Sequence, residues 1–167
     1  AESLSTRFAT EIAHGIRMQR GGTLTVRDLV ANPAPHITSA YIKGRVMAPD
    51  VRTAEETKAV ERAMELVDEL RAADVIVLGS GMMNFGLSSQ LKAWIDRIAV
   101  AGQTFRYTDA GPEGLCGNKK VIVVSTSGGL HVGQPTGLAH EDYLKVMLGF
   151  MGITDVTFVR AHGLAYG

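Results

Sequence analysis

Short apolar runs alternate along the chain with longer segments whose apolar residues recur at helical spacing. Residues 75–78, which end at Gly79, and residues 120–125 are rich in β-branched side chains, as strands buried on both faces of a parallel sheet are. Residues 155–161 predict a last strand of the same kind. Residues 24–29 alternate apolar and polar side chains, which indicates a strand near a sheet edge.

The same periodicity predicts four helices. The first spans residues 1–19 and closes at Gly21-Gly22. A capping box of Thr53 and Glu56 opens the second, which runs to about residue 72. The inner face of this second helix is expected to consist of Val60, Met64, Val67 and Leu70.

The third helix follows residue 86 and continues to Ile98, with Ser88 or Ser89 as its cap. Its outward face is expected to carry Lys92, Asp96 and Arg97. Residues 140–150 predict the fourth helix. Between these elements lie a proline-containing excursion at 32–52 and a turn-rich segment at 102–117.

Strands that alternate with helices predict a three-layer α/β fold with a doubly wound parallel sheet. In the flavodoxin-like order the first strand lies in the middle of that sheet. The chain begins with a helix and ends just after a strand, so we expect residues 1–167 to form one domain that lacks its first strand and last helix.

Composition narrows the choice of partners. The chain has 17 basic and 17 acidic residues, so no net charge favours nucleic acid or an anionic membrane. Its one cysteine, Cys116, forms no internal disulfide, which fits a reducing cytoplasm. No apolar run has the length of a membrane span, and no Cys and His cluster has the spacing of metal ligands.

Two loops at strand ends are the candidate binding segments. Residues 80–86 include the apolar side chains Met82, Met83 and Phe85, which either cover the core locally or form one wall of a ligand site. Residues 126–129 end in Gly128-Gly129, which makes either a tight turn or a close backbone approach to a ligand. In an open α/β sheet, ligands bind at this end of the strands.

These loops and their flanks resemble the FMN-dependent NADH azoreductases, a quinone-reducing family of flavodoxin-like fold. The resemblance rests on MMNFGLSSQLKAWIDRIAVAGQTFRYTDAGPEGL, STSGG and LGFMGITDV, and it extends over nearly the whole chain. It implies an enzyme in which two electrons pass from NADH through flavin N5 to a quinone or azo compound by ping-pong exchange. It also implies a homodimer, and no residue acts as a nucleophile because the flavin carries the chemistry.

The resemblance also implies roles for individual residues. Ser3 and Ser5 correspond to phosphate-binding serines, although serines at a helix start are also ordinary caps. The loop along the isoalloxazine ring corresponds to Met82, Met83, Asn84 and Phe85. The loop at the pyrimidine edge corresponds to Thr126, Ser127, Gly128 and Gly129. The substrate side, partly supplied by the neighbouring subunit, corresponds to Tyr107, His131 and Phe150.

Alternatives stay open at several of these positions. Tyr107 and Phe150 are also compatible with core positions, and His131 with a solvated loop. His36, His140 and Cys116 are interpreted as structural or surface residues. Rival functions on the same fold are a flavodoxin-like electron carrier, a phosphodiester hydrolase and a flavin-free binding protein.

Two loop positions depart from the family pattern. Met83 stands where the family commonly has a tyrosine, and Ser127 where it commonly has an arginine. A flexible thioether thus replaces an aromatic contact, and a positive charge is lost beside the flavin. These changes affect the expected nucleotide preference and flavin potential rather than the fold.

Overall fold

A computed structural model of the chain describes residues 3–166. Residues 1 and 2, where the first helix was predicted to begin, lie outside the described residues, as does residue 167. The main elements in chain order are α1 (Leu4–Arg20), α2 (Ser39–Gly44), α3 (Ala54–Ala72), β1 (Val75–Gly81), α4 (Ser89–Ile98), β2 (Phe105–Thr108), β3 (Gly111–Gly114), β4 (Lys120–Thr126), α5 (Tyr143–Phe150) and β5 (Asp155–Ala161).

The main sheet has the strand order β1-β4-β5, and both pairings are parallel, as predicted. One face of this sheet packs against α3, α4 and α5. This core includes Ile76, Leu78, Val121, Val123, Leu66, Leu70, Leu91, Trp94, Leu144 and Leu148. Residues 75–77 are only half-buried, contrary to the expected burial on both faces, because β1 is an edge strand among the described residues.

The other face of the sheet packs against α1, whose start lies on the end of β1. A Cβ atom on Gly79 would lie 2.9 Å from the carbonyl oxygen of Ser5. Only glycine therefore permits this close contact between a helix and a strand. With α1 on one face and three helices on the other, the molecule has the predicted three layers.

The capping box of α3 is present: the Thr53 side chain accepts the Glu56 N–H, and the Glu56 side chain accepts the Thr53 N–H. The predicted inner face is partly wrong, because Val60 and Met64 are half-buried. The buried positions of α3 are Ala63, Leu66, Val67 and Leu70. The helix is rotated slightly from the expected orientation so that small Ala63 faces inward.

Ser88 caps α4 by accepting the Leu91 N–H. The outward orientation predicted for Arg97 is wrong, because this side chain is 1% exposed. It donates hydrogen bonds to the carbonyl oxygens of Pro35 and His36 and lies over the Tyr41 ring. Arg97 thus ties the long excursion at 32–52 to the core.

Residues 24–29 do not form the predicted strand. Among the described residues no strand pairs with this segment, and a strand needs ladder hydrogen bonds from a neighbour. It is attached to α3 by paired hydrogen bonds of 2.6 and 2.8 Å from Arg27 to Glu69.

Two further segments differ in detail from the prediction. The turn-rich segment at 102–117 contains the antiparallel hairpin of β2 and β3. The helix predicted at 140–150 begins as a π-helical turn, Leu138–Asp142, and becomes α-helical at α5.

Among the described residues, no helix combines the length and hydropathy that crossing a membrane requires.

Candidate functional site

The loop after β1 makes a tight, strained turn. Met83 and Gly86 exchange two backbone hydrogen bonds of 2.9 Å. Asn84 and Phe85 between them have φ angles of 46° and 69°. The left-handed region costs about 1–2 kcal/mol for a non-glycine residue, and such strain concentrates at functional sites.

The apolar side chains of this turn do not cover the core. Met83 is 58% exposed and Phe85 is 54% exposed, whereas Met82 is half-buried. Two large apolar side chains held in solvent by a strained backbone favour the ligand-wall interpretation over a local lid.

The loop after β4 is held by the segment that follows β5. The Gly163 N–H donates to the carbonyl of Gly129 and the Ala165 N–H to that of Gly128, at 3.1 and 3.0 Å. The Ser127 hydroxyl donates to the Gly129 carbonyl at 2.7 Å. Thr126 and Ser127 are buried, and Gly128 is exposed. These hydrogen bonds hold the loop in place, and the backbone of Gly128 forms its exposed surface.

Ser3 and Ser5 lie at the start of α1, beside both loops. Their hydroxyl groups share a hydrogen bond of 2.9 Å, and the Ser3 side chain accepts no capping hydrogen bond from the backbone of α1. A Cβ on Gly81 would lie 3.5 Å from Ser5 Oγ and 3.3 Å from Thr126 Oγ1. The two predicted phosphate-binding serines therefore meet the ends of β1 and β4 at one sheet edge.

The predicted substrate-side residues fall into two groups. His131 packs edge to face against Phe85, with ring centroids 5.5 Å apart. Tyr107 and Phe150 instead flank Phe105, at 5.5 and 4.4 Å. Phe150 ends α5 just before the amino end of β5, so it lies about one strand length, roughly 20 Å, from the loops at the carboxyl end. One chain does not bring Tyr107 and Phe150 to its own loops.

A polar cluster that was not predicted from the sequence lies beneath the two loops, and four of its members, Ser80, Ser125, His140 and Glu141, are buried. Its side chains are Ser80, Ser125, His140, Glu141, Arg160 and His162. Among these, His140 was interpreted as structural or surface, and it is 1% exposed. The signal available in the sequence was a polar residue next to the end of each of the three strands, within otherwise apolar runs.

An ion pair forms one side of this cluster. Arg160 donates to both carboxylate oxygens of Glu141, from Nε to Oε1 at 3.1 Å and from Nη2 to Oε2 at 2.7 Å. Burial alone would raise the pKa of Glu141, but its hydrogen bonds with Arg160 and Ser125 lower that pKa below the usual range. Burial lowers the pKa of both His140 and His162. Within 3–166, no group of His, Cys, Asp and Glu has a geometry that could hold a metal ion.

Comparison with known proteins agrees with this geometry. A family described as having a flavodoxin-like fold matches residues 1–167. The FMN-dependent NADH:quinone oxidoreductase 5 of Pseudomonas fluorescens is 59% identical over 144 residues, which are 86% of this chain and 71% of that protein. This chain belongs to the flavodoxin-like family of FMN-dependent NADH:quinone oxidoreductases. The predicted fold class and family are confirmed.

Other members of the family match over more of the chain. The FMN-dependent NADH:quinone oxidoreductase 2 of Rhizobium etli is 56% identical over 169 residues, 99% of this chain and 82% of that protein. Among solved structures, the FMN-dependent NADH-azoreductase of Bacillus anthracis in complex with FMN is 27% identical. It has a TM-score of 0.86 over 98% of this chain and 81% of its own.

Proposed function

We propose that this chain is an FMN-dependent oxidoreductase that passes two electrons from NADH to quinones or azo compounds. The observation that carries the proposal is the convergence of three segments at one sheet edge: the serines that start α1 and the loops that follow β1 and β4. FMN has a phosphate and a flat ring with a polar edge. The serines suit the phosphate, and the two loops suit the ring.

Ser3 and Ser5 are proposed to hold the phosphate. The first N–H groups of a helix and its dipole favour an anion there. The Ser3 hydroxyl is not used as a cap and shares a hydrogen bond with the Ser5 hydroxyl. Two hydroxyl groups thus lie beside the N–H groups of the first turn.

The two loops are proposed to hold the ring. Met82, Met83 and Phe85 supply apolar surface, with Asn84 giving direction. The backbone N–H groups of Asn84, Phe85, Gly128 and Gly129 donate no hydrogen bond to other described residues. Free donors on a preorganised backbone stabilise negative charge where it develops.

Bound FMN would supply the chemistry, accepting a hydride from NADH at N5 and passing two electrons to the acceptor in ping-pong exchange. The protein's part is to orient flat reactants and stabilise charge. No residue is required as a nucleophile. His131, beside Phe85, is proposed to line the substrate side.

The proposal includes a homodimer in the cytoplasm, with residues 1–167 as one flavin-binding domain. Tyr107 is 74% exposed and lies far from the loops of its own chain, so it is proposed to line the site of a partner subunit together with Phe150. The single buried Cys116 suits a reducing compartment.

The decisive experiment is the visible absorption spectrum of the protein with added FMN, before and after anaerobic NADH, followed by addition of a quinone. We expect flavin bands that stay with the protein, bleach with NADH and return with the quinone. Bands that bleach but do not return would indicate an electron carrier. A protein that retains no flavin would indicate a flavin-free binding protein and overturn the proposal.

A further inference from the structure

The polar cluster is built on a single register row of the sheet. Ser80 of β1 pairs with Ser125 of β4, and Ser125 pairs with Arg160 of β5. Residues in one row of a parallel sheet point to the same face. The Ser80 and Ser125 hydroxyl groups each lie 2.9 Å from a histidine Nε2, of His140 and His162 respectively.

His140 has a buried ring nitrogen that is not used in hydrogen bonding within residues 3–166. Its Nδ1 is buried and has no hydrogen-bond partner among the described residues. The ring borders a cavity of about 20 Å³ that is also lined by Met82, His131 and His162. That volume accommodates one water molecule, and the polar lining supplies partners for it.

Charged and titratable groups surround His140 from every neighbouring element. The π-helical turn supplies Glu141 and Asp142, and α5 supplies Lys145. Residues at the end of β5 supply Arg160 and His162, and the loop after β4 supplies His131. Arg160 already neutralises the charge of Glu141. The imidazole of His140, with its unpaired Nδ1, is therefore the group best placed to gain a proton.

We propose that His140 takes up a proton from solvent when two electrons enter the cofactor site, and releases it to the acceptor. This inference rests on the proposed function. Reduction of a quinone consumes two electrons and two protons. NADH supplies a hydride, which carries both electrons and one proton, and becomes NAD⁺. An N–H bond forms at His140 Nδ1 with the second proton and breaks as an O–H bond forms on the acceptor.

The position of the cluster couples it to both loops. Ser80 precedes Gly81 and Met82, and Ser125 precedes Thr126, so each serine–histidine pair lies directly beneath a candidate flavin loop. Salt and solvent only weakly screen the interaction between a buried group and a charge that develops in the neighbouring site. Negative charge in the site therefore favours the protonated form of His140.

The first test uses the unsubstituted, FMN-loaded protein. NMR titration of its imidazole groups, in the oxidised and in the anaerobically reduced protein, measures the pKa of His140 in each state. We expect this pKa to rise on reduction. A pKa that stays the same would overturn the inference, and no variant has to fold for this measurement.

The second test compares the dependence of the flavin midpoint potential on pH in His140→Gln and in the unsubstituted protein. Gln keeps a donor toward Ser80 but does not titrate. For a two-electron couple, one coupled proton contributes about 30 mV per pH unit. We expect a slope lower by up to about 30 mV per pH unit in His140→Gln between about pH 5.5 and pH 8. The exposed His14→Gln serves as control and keeps the original slope.

These tests separate the inference from the proposed function. Retained flavin that bleaches with NADH, together with equal slopes in His140→Gln and the unsubstituted protein, would overturn only the role of His140. A protein that binds no flavin would overturn both.

Discussion

The rings of Phe85 and His131 meet edge to face, with centroids 5.5 Å apart and planes inclined by 73°. Phe85 belongs to the loop after β1, and His131 follows the loop after β4. Such pairs contribute about 0.5–1.5 kcal/mol. The contact therefore joins the two candidate flavin loops and helps to offset the cost of the left-handed backbone at Phe85.

The strained turn predicts that two substitutions of Phe85 differ in stability although both weaken FMN binding. Phe85→Ala removes the ring but keeps a Cβ in the left-handed region, whereas Phe85→Gly removes the ring and the strain. We expect Phe85→Gly to be more stable than Phe85→Ala by about 1 kcal/mol in urea unfolding of the flavin-free protein. Both variants should bind FMN more weakly in fluorescence titrations. Equal stability of the two variants would contradict the strained turn.

The serines at the start of α1 are tested by ligand comparison. We expect Ser5→Ala to weaken FMN binding by about tenfold, the loss typical of a hydrogen bond to a charged group. Riboflavin, which has no phosphate, should bind equally well to Ser5→Ala and to the unsubstituted protein. Ser89→Ala, an exposed serine in the first turn of α4, is the matched control. An equal loss for FMN and riboflavin would exclude the phosphate role.

The bare backbone of the second loop is tested by adding bulk. A Cβ on Gly128 would lie 3.4 Å from Ala165 Cβ, an ordinary contact, so the fold tolerates a side chain there. We expect Gly128→Val to lower FMN occupancy because its side chain occupies the approach to the ring. Gly15→Val, at a helical position with open space around it, is the size-matched control. Full occupancy in Gly128→Val, measured by absorbance after gel filtration, would refute the assignment.

Arg97 is predicted to be a large contributor to stability. Its guanidinium donates to the Pro35 and His36 carbonyls and stacks 4.1 Å from the Tyr41 ring centroid. We expect Arg97→Met to reduce the free energy of unfolding by about 2 kcal/mol, because charge-assisted hydrogen bonds are lost. Lys92→Met, on the exposed face of the same helix, should cost less than about 0.5 kcal/mol. Similar losses in the two variants would contradict the buried role.

The buried histidines predict a pH dependence of stability. Burial lowers the pKa of His140 and His162 in the folded chain, whereas unfolding returns each to about 6.5. Below about pH 6.5 the unfolded chain therefore binds more protons, and the free energy of unfolding falls as the pH falls. The slope is at most about 1.4 kcal/mol per pH unit for each histidine.

Urea unfolding of the flavin-free protein between about pH 5.5 and pH 7.5 measures this slope above the range in which carboxylates titrate. His140→Gln should reduce it, and His14→Gln should leave it unchanged. Glu141, whose pKa is lowered, contributes stability that is lost only at more acidic pH. A flat profile would contradict the shifted histidines.

Elements with local signals were predicted well from sequence. The capping box of Thr53 and Glu56 opens α3 as expected, and β4 and β5 lie within one residue of their predicted bounds. The two loops at strand ends were also identified. These features depend on residues within a few positions of one another, and hydrophobic period and cap chemistry are visible at that range.

The sequence by itself thus determined the alternation of strands and helices, the family and the loops at the carboxyl ends of β1 and β4. Tertiary structure decided that residues 24–29 form no ladder, that Arg97 faces inward and that His140 lies against Ser80. Each of these depends on partners far along the chain: a neighbouring strand, the carbonyl groups at 35–36, and a serine placed by strand register. Hydrophobic period reports how much of a segment is buried, but hydrogen-bond partners are chosen only when the elements pack.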